Sequence, residues 1–76
     1  MNKIRRKELQ SIIYQIEELK DSLENLQAEE EEYRDNMPEN LWGSERYDKA
    51  EAAIANMEDA ISALEEAISS IDAATE

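Results

Sequence analysis

The chain has 76 residues, 20 of them Asp or Glu against 8 Lys or Arg, with no His, no Cys, one Gly and one Pro, for a formal charge of −12. One small domain is all this length allows, and so short a chain usually needs disulfides, a metal or another subunit beside its own core. Without Cys and His, disulfides and structural zinc are excluded, which leaves self-association. No apolar run is long enough to span a membrane, and the basic start lacks the apolar stretch of a signal peptide, so the expected compartment is the cytoplasm. The acidic balance argues against binding to membranes or, in general, to nucleic acid.

From Leu9 the apolar residues fall at Leu9, Ile12, Ile16, Leu19, Leu23 and Leu26, then at Tyr33 and Met37, in alternating steps of three and four. Glu30 fills the one slot that is not apolar. Steps of this kind put every such side chain on one stripe of a helix and make helices pack along a seam. A helix is expected over residues 2–35.

The segment 36–44 holds the only Pro and the only Gly. Pro38 disfavours helical geometry at Met37, and Gly43 can take the left-handed conformation that ends a turn. Residues 38–42 can form one helical turn within the connection. Ser44 is then a natural N-cap for a second helix, with Glu45 suitably placed against the helix dipole.

That second helix is expected over residues 45–73, with its stripe at Tyr47, Ala50, Ile54, Met57, Ile61, Leu64, Ile68 and Ile71. Folded back on the first, it pairs Leu9 with Ile71, Ile12 with Ile68, Ile16 with Leu64, Leu19 with Ile61, Leu23 with Met57, Leu26 with Ile54 and Tyr33 with Tyr47. Every pair is apolar, and the reversal falls at the breakers. The expected fold is all-α, an antiparallel two-helix hairpin forming a single domain over residues 1–76.

Both helices carry more apolar surface than one partner can cover. A seven-residue repeat in residues 53–73 places Ala53, Ala60 and Ala67 in a column beside the seam, and Ile13 lies beside the seam of the first helix. Ile4 and Tyr14 lie further round. Stripes this broad belong to bundles, so these residues are the expected dimer face of a four-helix bundle made from two hairpins.

Little here suggests chemistry. Ser11, Ser62, Ser69 and Ser70 have no base at a useful spacing, so no enzymatic activity is expected. Glu29 to Glu32 do not match the spacing of a calcium loop, and neither metal nor cofactor is expected. Glu30 faces Ala50 and is read as reaching outward over it, with a register-fixing role as the alternative.

Charge is unevenly spread. Lys3, Arg5, Arg6 and Lys7 hold half of the cations, which leaves residues 8–76 with 20 acidic and 4 basic groups, a net of −16. Neutralisation by Asp72 and Glu76, within the chain or between subunits, is the expected fate of this basic patch, and a nucleic-acid arm is the alternative. Glu17, Glu18, Asp21 and Glu24, together with Glu51, Glu58, Asp59, Glu65 and Glu66, form rows of carboxylates about 5 to 10 Å apart. Such rows can imitate a DNA backbone, or serve solubility alone. The apolar residues of the connection, Met37, Leu41 and Trp42, are candidates for partner contact unless they pack back over the helix ends near Tyr33 and Tyr47.

The string Asp35-Asn36-Met37-Pro38-Glu39-Asn40-Leu41, followed by Ser44-Glu45-Arg46-Tyr47 and the Ala-Ile/Leu-Glu heptads, resembles a group of short, functionally uncharacterised acidic hairpin proteins encoded by Gram-positive bacteria, their phages and mobile elements. The opening Met1-Asn2-Lys3 with Arg5-Arg6-Lys7 is similar as well, so the resemblance spans nearly the whole chain. Trp42 departs from that pattern, where a polar residue such as Gln is usual. A phage-type origin implies a small inhibitor acting on a host protein, bacterial immunity enzymes included, in the host cytoplasm. The expected function is thus a non-enzymatic interaction module that pairs with itself and meets a host protein, such as a basic nucleic-acid-binding protein. The alternatives are a scaffolding coiled coil and a regulator that touches nucleic acid through its N-terminus.

Overall fold

A computed structural model describes all 76 residues as two long helices and a short connection. Helix α1 runs Lys3–Asp35, a single 3-10 turn covers Glu39–Leu41, and helix α2 runs Glu45–Ala74. The helices pack antiparallel in a rod of about 60 × 15 × 12 Å. None is long and apolar enough to cross a membrane.

Local chemistry accounts for the ends. The Asn2 side chain accepts from the Arg5 N–H at 2.7 Å, and Ser44 Oγ accepts from the Tyr47 N–H at 3.3 Å, each satisfying a donor that the first helical turn leaves open. Gly43 takes φ +82°, which a side chain would resist, so the chain can leave the 3-10 turn and enter α2 at once. Trp42 closes the connection by donating its indole N–H to the Met37 carbonyl at 3.0 Å, and its ring stands 6.3 Å from that of Tyr47.

Helix α2 turns the expected stripe inward, from Tyr47 and Ala50 to Ile68 and Ile71, with Ala50 and Ile61 buried. Helix α1 is turned by one position relative to the expectation. Leu9, Ile16 and Leu23 face α2, but their companions in the seam are Ile13, Lys20, Gln27 and Arg34 rather than Ile12, Leu19, Leu26 and Tyr33. Ile13, expected on the dimer face, is 3% exposed, whereas Leu19 and Leu26, expected in the core, are 64% and 55% exposed.

Polar contacts between the helices accompany the turn. Lys20 Nζ lies 3.8 Å from a Glu65 carboxylate oxygen, Gln27 Nε2 donates to Glu58 at 2.8 Å, and an Arg34 guanidinium nitrogen lies 3.9 Å from Glu51. The three rungs repeat every seven residues along both helices. They form with the column of Lys20, Gln27 and Arg34 facing α2, while the more apolar column of α1 lies outside the seam.

Candidate interaction faces

Helical spacing combined with these contacts divides the hairpin into two unlike faces. One carries the rungs, with Glu51, Glu58 and Glu65 on α2 and Lys20, Gln27 and Arg34 on α1. Arg34 also bonds Asp35 at 3.0 Å, and this neighbour raises the guanidinium above its ordinary pKa, so it stays charged throughout. The three glutamates expected to meet a partner are thus partly engaged within the chain. Asp59 and Glu66 remain exposed and make no ion pair.

The opposite face is apolar. The column Ile12, Leu19, Leu26 and Tyr33 lies three residues on from the seam residues Leu9, Ile16 and Leu23, and the Ala column of α2 bears the same relation to Ala50, Met57 and Leu64. In antiparallel helices that relation puts both columns on one side. At the connection end a shallow open groove is lined by Tyr33 and Glu30 from α1 and by Arg46, Lys49 and Ala50 from α2, with Arg46 one heptad before Ala53. Ala60 is exposed, and Ala53 and Ala67 are half-buried beside the seam.

The connection divides its expected contact residues. Met37 is buried, 7% exposed, against the end of the hairpin, so it is not available to a partner. Leu41 is half-buried, and Trp42 keeps 54% of its surface in solvent despite its hydrogen bond. Glu30 is half-buried beside this groove and takes part in no ion pair.

At the open end Lys3, Arg5, Arg6 and Lys7 are exposed, and none is paired with Asp72 or Glu76 in the same chain. Neutralisation inside the chain is therefore not what holds them. Cations in the first turn of a helix oppose its dipole, at a cost of about 0.3 to 1 kcal/mol each, and the last turn of α2 has no basic residue to favour its own. The two ends carry opposite charge and stand side by side.

Sequence periodicity missed the rungs because they link residues 17 to 45 positions apart; a readable signal was the heptad spacing of Lys20, Gln27 and Arg34 against Glu65, Glu58 and Glu51. No group of carboxylates converges in a way that could hold a metal ion. Comparison with protein-family models, with curated proteins and with solved structures finds no match.

Proposed function

We propose that this protein is a non-enzymatic interaction module: two hairpins join through their apolar faces into a four-helix bundle, and the acidic outer surface engages a basic host protein. The separation of charge carries this reading. Carboxylates crowd the outward sides of both helices, while the middle of the apolar face has no charged residue. Helix pairs with one greasy side are stable in water when that side is covered.

A basic protein that normally binds nucleic acid is the partner of choice. Glu17, Glu18, Asp21 and Glu24 on α1 and Asp59 and Glu66 on α2 are all exposed on a rod whose length suits a stretch of duplex. Together with the resemblance to phage and mobile-element proteins, this favours an inhibitor that occupies a nucleic-acid site. Capture from bacterial lysate, with elution by duplex DNA, tests it. Partners should be released by DNA and lost when Glu17, Glu18, Asp59 and Glu66 become amides. Retention by that variant would contradict mimicry and favour a scaffolding coiled coil.

The exposed cations at residues 3–7 support a second reading, a regulator that contacts nucleic acid directly. A gel shift with the full chain and with residues 1–7 removed separates the two, because only direct binding is abolished by the deletion.

A further inference from the structure

We propose that the apolar face is covered by a second copy whose two-fold axis runs along the helices, so that α1 of each copy lies antiparallel on α2 of the other. This deepens the self-association reading above and rests on it.

The first ground is the choice that the lone hairpin makes. It turns Lys20 and Gln27 toward α2 and leaves Leu19 and Leu26 in solvent. Burying a leucine gains about 1.5 to 3 kcal/mol, and an exposed polar pair gains about 0 to 1 kcal/mol. A chain that worked alone would do better turned the other way. The geometry makes sense when the outer leucines have their own cover.

The occupant is identified by size and charge. With the axis along the helices, Ile12, Leu19 and Leu26 meet the partner's Ala67, the partner's Ala60 and the partner's Ala53, large against small at each level. Interaxial distance follows the side chains in contact, so this arrangement keeps the helices evenly spaced. Laying α1 on α1 instead sets leucine against leucine and leaves alanine against alanine on the far side.

Charge agrees. The same pairing sets Glu29 beside the partner's Lys49. Glu29 has no ion pair in its own chain. An α1-on-α1 pairing that matches the four apolar residues puts Glu29 beside the partner's Ile16.

Scale is sufficient. Each α1-on-α2 contact is about 50 Å long and about 10 Å wide, and two of them give each copy a footprint on the order of 1,000 Å², in the range of stable interfaces.

The test uses the absence of native cysteine. Ser22 and Asn56 are exposed at the rim of the proposed contact, each opposite the other residue of the second copy. Light scattering of the native chain comes first, then mild oxidation of Ser22→Cys, Asn56→Cys and the double variant, with Gln15→Cys plus Ala63→Cys as a second pair. The expected result is a dimer by mass, cross-linked covalently in each double variant and in an equal mixture of the two single variants, but in neither single variant alone. Cross-linking of Ser22→Cys by itself would overturn this arrangement in favour of α1 on α1 while leaving self-association standing. A dimer that none of the variants cross-links would place the contact on another face and also overturn it. A monomer at all concentrations up to the millimolar range would overturn both this proposal and the reading beneath it.

Discussion

Gln27 reaches across the hairpin, donating from Nε2 to the Glu58 carboxylate at 2.8 Å and to the Ile54 carbonyl at 3.3 Å. It is the middle rung of the three that cross the seam. Both neighbouring rungs rest on ion pairs near the 4 Å limit, so this amide is the best-formed of them. Gln27→Ala should lower stability by about 1 kcal/mol, the usual net loss for such a bond, or about 4 to 8 °C in melting temperature for a domain of this size. An unchanged melt would show that the rung contributes nothing.

Adjacent isoleucines provide a direct check of the helix phase. Ile13 is 3% exposed and Ile12 is 43% exposed. In dilute protein Ile13→Ala should cost about 2 to 5 kcal/mol in chemical unfolding, and Ile12→Ala less than about 1 kcal/mol. Equal costs, or the reverse order, would mean that α1 presents the other column to α2.

Gly43 offers a cleaner backbone experiment. Its φ is +82°, and a Cβ placed there meets nothing within 4 Å. Gly43→Ala should therefore cost about 1 to 2 kcal/mol from conformation alone, and Gly43→Asn should cost less, because Asn tolerates the left-handed region better. Thermal melts of the two variants would rank them, and Asn no better than Ala would count against that cause.

Self-repulsion should dominate the salt response. Five ion pairs link the chain, each of the kind that contributes on the order of 0 to 1 kcal/mol, against a net charge of −12. Raising sodium chloride from about 0.01 to 0.5 M shortens the Debye length severalfold and should raise the melting temperature. A fall would mean that the pairs outweigh the repulsion.

Trp42, the single tryptophan, reports on the connection. Its ring is half in solvent while its N–H is held by the Met37 carbonyl. Emission should be that of a partly exposed indole in the free protein and should shift to the blue when a partner covers the turn. Binding with no spectral change would exclude the connection from the contact.

The two-helix, single-reversal plan was legible in the letters because it depends on local causes. Apolar residues at steps of three and four make each helix, Pro38 and Gly43 break the chain once, and Ser44 starts α2. The seam of α2 was legible for the same reason, since beyond Tyr47 and Ala50 it offers a single column pair rich in Ile, Leu and Met. What only the tertiary structure decided is the rotation of α1. That helix has an apolar column on either side of Leu9, Ile16 and Leu23, complete at Ile12, Leu19, Leu26 and Tyr33 but begun and abandoned at Ile13. Counting apolar letters favours the complete column. The packed hairpin takes the other, with Lys20, Gln27 and Arg34 each meeting a glutamate of α2, because which residues lie opposite one another depends on both helices at once and not on the apolar count of either.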